Sequence, residues 1–224
     1  MDRERLAGMI DHTLLKPAAT HDDIVRLCHE AADNRFASVC IAPCWVKTAW
    51  MALQSSPVHV CTVIGFPMGY QSSATKSHEA RLAANGGADE LDMVLNVGFL
   101  KSGDSAAVRD DISAVVNAVP GHVVKVIIET ALLTSEEKVL ACQLAEQAGA
   151  HFVKTCTGFN GGGATVEDVA LMRRTVGNKM EVKASGGIRG AKTALALVEA
   201  GATRLGTSGS LAIVNGVEAE SSGY

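Results

Sequence analysis

With 224 residues, 47% of them apolar, the chain can build one large core and is too hydrophobic to be disordered. A net charge of -4 without any run of like charges argues against a nucleic-acid surface. No apolar stretch approaches a membrane span and no apolar signal region follows the mixed-charge start, so a cytoplasmic location is expected.

Strand-like runs and helical stripes alternate along the chain. The first strand is expected at 9–14. Its helix follows from Thr20, an N-cap with Asp22 and Asp23 in the first turn, and carries an apolar stripe of Ile24, Leu27, Cys28, Ala31 and Ala32. A second strand at 38–42 leads to a helix opening at Pro43. A third, at 58–66, precedes a helix over 73–85 that Gly86 and Gly87 end. The fourth strand, 90–96, leads to a helix over 104–119. The fifth, 123–130, is followed by a helix whose Thr134 and Glu137 have capping-box spacing. Strands at 152–157 and 181–185 precede helices at 165–176 and 190–200. An eighth strand at 203–206 leads to a short helix near Ser208. Residues 218–224 are polar and are expected to form a mobile tail.

Eight strand–helix units in strict alternation predict a parallel sheet closed into a single (β/α)8 TIM barrel over 1–224. A doubly wound sheet would carry a glycine-rich turn after its first strand, and Leu-Lys-Pro-Ala-Ala-Thr (15–20) has no glycine. The six cysteines form no C-x-x-C pair and read as reduced, mostly buried thiols.

In a parallel barrel, one face of each strand meets helices and the other the lumen. On the fifth strand, Val124, Val126 and Ile128 share the helix face, and Lys125, Ile127 and Glu129 turn inward. The same alternation sends Asp92 and Asn96, Lys154, Lys183 and Asp11 into the lumen from the fourth, sixth, seventh and first strands. A buried ammonium is costly unless paired, and a second one beside it favours the neutral amine further. A neutral lysine attacks carbonyls, so Lys154 and Lys183 point to Schiff-base chemistry. Taken singly, each of these residues is more readily a structural ion pair. As a set, the desolvation cost of so many buried ions argues for chemistry.

The seventh strand ends in Ser-Gly-Gly-Ile-Arg (185–189) and the eighth in Gly-Thr-Ser-Gly-Ser (206–210). Loops at these two strand ends form the recurrent phosphate site of the fold, where glycines let backbone N–H groups approach an anion. Gly161, Gly162 and Gly163 read as a lid or a plain loop. Cys40 reads as a small buried residue and His12 as a hydrogen-bonded core residue rather than a catalyst.

The segments Ile-Asp-His-Thr-Leu-Leu-Lys-Pro (10–17), Val-Ile-Gly-Phe-Pro (63–67), Lys-Thr-Cys-Thr-Gly-Phe (154–159) and Lys-Ala-Ser-Gly-Gly-Ile-Arg (183–189) carry a nearly full-length resemblance to the deoxyribose-phosphate aldolase family. The resemblance implies a class I aldolase, free of metal and cofactor. It would cleave 2-deoxy-D-ribose 5-phosphate reversibly to D-glyceraldehyde 3-phosphate and acetaldehyde. Lys154 would form the Schiff base, and Lys183 would lower its pKa and relay protons. Asp92 would exchange protons through a water, Asp11 would support it, and Tyr224 would transfer protons at the enamine. The substrate phosphate would rest on Gly186, Gly187, Gly206, Ser208 and Thr157. The implied partner is a small phosphorylated sugar, not nucleic acid or membrane, and the expected assembly is a homo-oligomer. Two positions depart from the family pattern: Cys156 stands where serine is usual, and Gly209 where a second serine is common. A Schiff-base barrel for another phosphorylated sugar and a barrel that only binds sugar phosphates stay open as alternatives.

Overall fold

Short runs of valine, isoleucine and leucine between turn residues form strands buried on both faces, as an all-parallel sheet requires. The computed structural model describes residues 1–217. Its strands are β1 (Ile10–Leu14), β2 (Ser38–Ile41), β3 (His59–Ile64), β4 (Glu90–Val94), β5 (Val123–Ile127), β6 (Phe152–Lys154), β7 (Glu181–Ser185) and β8 (Arg204–Thr207). They pair in chain order, and β8 closes onto β1 through Asp11 opposite Gly206. The outer ring holds α1 (Arg3–Ala7), α2 (His21–Asn34), α3 (Val46–Ala52), α4 (Ser73–Gly86), α5 (Val97–Lys101), α6 (Ser105–Ala118), α7 (Ser135–Gln147), α8 (Val166–Val176), α9 (Ala191–Glu199) and α10 (Ser210–Val214). This is the (β/α)8 barrel that the alternation predicts.

Helix starts lie where their capping residues stand. The Thr20 and Thr134 side chains accept from the N–H groups of Asp23 and Glu137, whose carboxylates bond back to the cap N–H. Two short helices, α1 and α5, carry too few residues to show periodicity. Each begins at a side-chain cap, Asp2 and Asn96 respectively. Pro43 opens a 3-10 turn (Pro43–Trp45) before α3.

Four strands stop two or three residues earlier than their apolar runs suggest, β3 among them at Ile64. β4 ends at Val94 because Asn96 caps α5. β5 ends at Ile127, and Glu129 beyond it takes left-handed backbone, φ 58°. β6 ends at Lys154. The next two side chains turn to β7 instead, Thr155 Oγ1 and Cys156 Sγ both donating to the Ser185 carbonyl at 2.9 and 2.7 Å. Lys154 is therefore the last residue of its strand, at the C-terminal mouth where catalytic groups of this fold collect.

Val124, Val126, Ile128, Val153, Val182 and Ala184 face outward into the helix layer, as alternation predicts, and all are buried there. That layer also holds a fully buried ion pair. Lys76 on α4 donates to Asp111 on α6 at 2.7 Å and to the Val94 carbonyl at 2.9 Å, with both side chains sealed from water. Burial pulls the Lys76 ammonium below its ordinary pKa of 10.5 against the attraction of Asp111. Lys76→Met strips a buried carboxylate of its cation and is expected to lower the unfolding free energy by about 3–5 kcal/mol. A fall in the urea midpoint measures it. Lys76→Met with Asp111→Leu should recover most of the loss, and neither variant should change turnover per folded molecule.

Candidate active site

The inward face of β4 carries Glu90, Asp92 and Val94, and that of β5 carries Lys125 and Ile127. β6 contributes Lys154, β7 Lys183, β8 Arg204 and Gly206, and β1 Asp11. Seven of these side chains are charged, and all seven meet in the lumen. Asp92 Oδ2 accepts from Lys183 at 2.7 Å. Lys183 also bonds Asp11 Oδ2, and Asp11 Oδ1 accepts from Arg204 at 2.7 Å. Arg204 reaches Glu90 Oε2 at 3.0 Å, Glu90 Oε2 meets Lys125 at 2.6 Å, and Lys125 returns to Asp92 Oδ1 at 2.8 Å. Three carboxylates and three cations thus alternate around a closed, charge-balanced ring.

Lys154 lies outside that ring. Its ammonium touches one carboxylate oxygen, Asp92 Oδ2 at 2.8 Å, which Lys183 already holds. It is the surplus cation. It is also the lysine of the three with any exposure, 3% against 0% for Lys125 and Lys183.

The ring locks the charge states of its members. Burial alone would raise the Asp11 carboxyl. Lys183, Lys125 and Arg204 outweigh it and hold that group well below the ordinary value of 3.8. Burial likewise opposes ionisation of Asp92, but Lys125, Lys154 and Lys183 keep it far below the carboxylate range. Burial disfavours the Lys183 and Lys125 ammonium groups. For Lys183 the Asp11 and Asp92 carboxylates prevail and push it above 10.5, and for Lys125 Asp92 leads the same effect. Lys183 is therefore a fixed positive charge sharing an oxygen with Lys154.

Strand parity placed Asp11, Asp92, Lys125, Lys154 and Lys183 in the lumen, and the structure brings them together. Two further inward assignments end elsewhere. Asn96 lies past the end of β4, where its side chain accepts from the Phe99 N–H at 3.1 Å. Glu129 lies past the end of β5 and bonds Thr157 and Asn160 rather than any lysine. Glu90 and Arg204 were not singled out in the sequence. The same parity carries them, since Glu90 shares a face with Asp92 and Arg204 with Gly206. His12 is a hydrogen-bonded core residue, 2.9 Å from Ser210 Oγ and 2.8 Å from Glu30 Oε2.

The wall beside the ring is apolar. Leu15, Cys40, Cys61 and Val63 form a cluster with Phe66 and Phe159, whose rings meet edge to face at 5.1 Å. Cys40, Cys61 and Asp92 also present possible metal ligands within 4.8 Å of one another. The ammonium groups of Lys125, Lys154 and Lys183 are already on that carboxylate, so a cation there would have to displace them.

The residues expected to hold phosphate are spread over three strand ends. Gly186 and Gly187 form the turn after β7 in left-handed backbone, φ 89° and 74°. A Cβ on Gly186 would stand 2.7 Å from Cys156 Sγ, so the turn packs tightly on the segment after β6. Ser208 is exposed in the loop between β8 and α10, where Gly209 N–H bonds Thr207 Oγ1 at 2.9 Å. Gly206 lies within β8, and its missing side chain makes room for Lys183, since a Cβ would lie 3.0 Å from Lys183 Cε. Thr157 follows β6 and gives its hydroxyl proton to Glu129 at 2.6 Å. Tyr224 lies outside the described residues.

A protein-family model described as DeoC/LacD family aldolase matches residues 5–217. The chain is 57% identical to a deoxyribose-phosphate aldolase of Clostridium kluyveri over 216 residues, 96% of this chain and 99% of that one. It is 52% identical to the deoxyribose-phosphate aldolase of Mannheimia succiniciproducens over 224 residues, covering both completely. Among solved structures, it superposes with a TM-score of 0.90 on the deoxyribose phosphate aldolase from Aeropyrum pernix, described as a unique tetramer. That match has 35% identity and covers 96% of this chain and 91% of the other.

Proposed function

The chain belongs to the DeoC/LacD aldolase family, and on that premise we propose how its barrel works as a deoxyribose-phosphate aldolase, a carbon–carbon lyase. The reaction is the reversible cleavage of 2-deoxy-D-ribose 5-phosphate to D-glyceraldehyde 3-phosphate and acetaldehyde. One observation carries the mechanism: Lys154 is the cation without a carboxylate of its own, beside a ring whose charges already cancel.

The neutral amine of Lys154 attacks the C1 aldehyde of the open-chain sugar. Loss of water leaves an iminium whose positive charge draws electrons from the C2–C3 bond, in the way a Lewis acid would. Lys183 holds its proton against Asp11 and Asp92 and so keeps a positive charge on the carboxylate oxygen that it shares with Lys154. The C3 hydroxyl loses its proton as the C2–C3 bond breaks. Asp92 is too firmly ionised to store that proton. It orients a water that takes the C3 hydroxyl proton and returns a proton to the enamine carbon. The electron pair of the broken bond becomes the enamine on Lys154. Protonation at the enamine carbon and hydrolysis then release acetaldehyde. Asp11 and Arg204 keep Lys183 in place.

The phosphate end of the sugar is assigned to the turn at Gly186 and Gly187 with the loop around Ser208, where the fold recurrently binds phosphate. Assembly into a homo-oligomer is supported by the tetramer named for the Aeropyrum pernix relative. No helix among the described residues is long and apolar enough to cross a membrane.

Borohydride reduction in the presence of acetaldehyde tests the mechanism. The expected product carries an ethyl group on Lys154, located by peptide mass mapping. A chain that cleaves the sugar without such an adduct overturns the Schiff base. A chain that binds the sugar phosphate and neither cleaves it nor forms an adduct is a binding barrel.

A further inference from the structure

Glu129 is buried, 1% exposed, yet it makes no bond to the charged ring. Its backbone is left-handed, φ 58°, a conformation that side chains other than glycine rarely adopt and that collects at functional sites. This turn swings the carboxylate away from the lumen and toward the loop after β6. There it faces donors. Thr157 Oγ1 donates to Oε2 at 2.6 Å, Asn160 Nδ2 donates to the same oxygen at 2.9 Å, and the Thr157 N–H sits 3.3 Å from both oxygens. Asn160 Nδ2 also reaches the Pro67 carbonyl at 3.2 Å, so one carboxylate fastens the loops after β3, β5 and β6 together.

The fastened loop runs on to the phosphate side of the mouth. Ala164 N–H donates to the Gly186 carbonyl at 3.0 Å, and a Cβ on Gly163 would lie 2.7 Å from that same oxygen. The segment after β6 is thus in backbone contact with the glycine turn after β7. Thr157 itself gives its hydroxyl proton and its N–H to Glu129, and its oxygen accepts from the Phe159 N–H at 3.1 Å. These bonds shape the loop.

We propose that Glu129 is a positioning residue for the phosphorylated end of the substrate, holding the loop after β6 in the shape that lets it complete an anion cradle with Gly186 and Gly187. The proposal rests on the aldolase reading. A carboxylate suits the position because every group facing it is a donor, whereas an amide would turn an N–H toward one of them.

Glu129→Gln tests this, compared on 2-deoxyribose 5-phosphate and on unphosphorylated 2-deoxyribose. The expected result is a KM for the phosphorylated sugar raised about tenfold at little-changed kcat, with kcat/KM for the unphosphorylated sugar within about twofold of the parent. The acetaldehyde adduct on Lys154 should form as before. Asn160→Ala, a milder change at a half-buried strut, should move the same KM in the same direction. A merely structural role would depress both substrates together. An equal loss on the two sugars, or an unchanged KM for the phosphorylated one in both variants, overturns the proposal. If Glu129→Gln does not fold, the Asn160→Ala comparison decides alone. A parent chain that traps no adduct removes the aldolase reading, and this role with it. A normal adduct without a split between the sugars removes only the role of Glu129.

Discussion

Lys154→Ala is expected to abolish both the acetaldehyde adduct and turnover, a fall in kcat of about four orders of magnitude or more, the scale on which a lost covalent nucleophile is read. The fold should survive, because the change removes the one charged group that the ring does not need. Asp92 keeps Lys183 at 2.7 Å and Lys125 at 2.8 Å, so no carboxylate is left unpaired. Urea unfolding should show little loss beyond the packing of one side chain, and circular dichroism should be unaltered. Retained turnover would mean that another group carries the chemistry. Lys125 and Lys183 are poor replacements, since both are sealed from water and each is bound to more than one carboxylate.

Lys183→Leu acts through charge rather than through a bond to substrate. Removing its ammonium leaves Asp92 Oδ2 to Lys154 alone. One ammonium at about 4 Å, in an effective dielectric of about 20, is worth about 4 kcal/mol. Partial compensation by the remaining charges should leave iminium formation at neutral pH slowed by about two to three orders of magnitude. The rate should climb as pH rises, which borohydride trapping across a pH series measures. Lys183→Arg retains the charge and should recover part of the neutral-pH rate. Asp11 loses its partner on β7 but keeps Arg204 at 2.7 Å, so the fold is expected to persist at reduced stability. Full activity of Lys183→Leu at neutral pH would refute the electrostatic role. A rate that stays low at every pH would mean that Lys183 takes part in proton transfer directly.

Both expectations began as readings of strand parity. Lys154 and Lys183 stand in apolar runs too short for helices, and period-two alternation puts both on the face opposite Val153, Val182 and Ala184. Nothing in that inference needed the closed barrel beyond the rule that the inward face of a parallel strand meets the lumen. The capping residues Thr20 and Thr134 were legible for a similar reason, since an N-cap is a local hydrogen bond within four residues.

Parity alone could not tell where a strand stops. Asn96 and Glu129 follow the inward alternation, but each lies two residues past the end of its strand. There the backbone has left the pleat, so a side chain no longer points where the alternation sends it. The family resemblance implies a phosphate role for Gly206. Its place inside β8, opposite Asp11, gives its missing side chain another use, clearing space for Lys183.

By itself the sequence determined the eight-fold alternation, the parity of each strand and hence the identity of most charged groups in the lumen, because these depend on periods of two and 3.6 residues that survive without long-range contacts. Only the tertiary structure decided which of those charges cancel. Arg204 and Glu90 close the ring from strands 114 positions apart, and their entry makes Lys154, rather than Lys125 or Lys183, the cation left over. Which proton is cheapest to remove depends on every charge within a few ångströms, and that neighbourhood exists only once β8 has met β1.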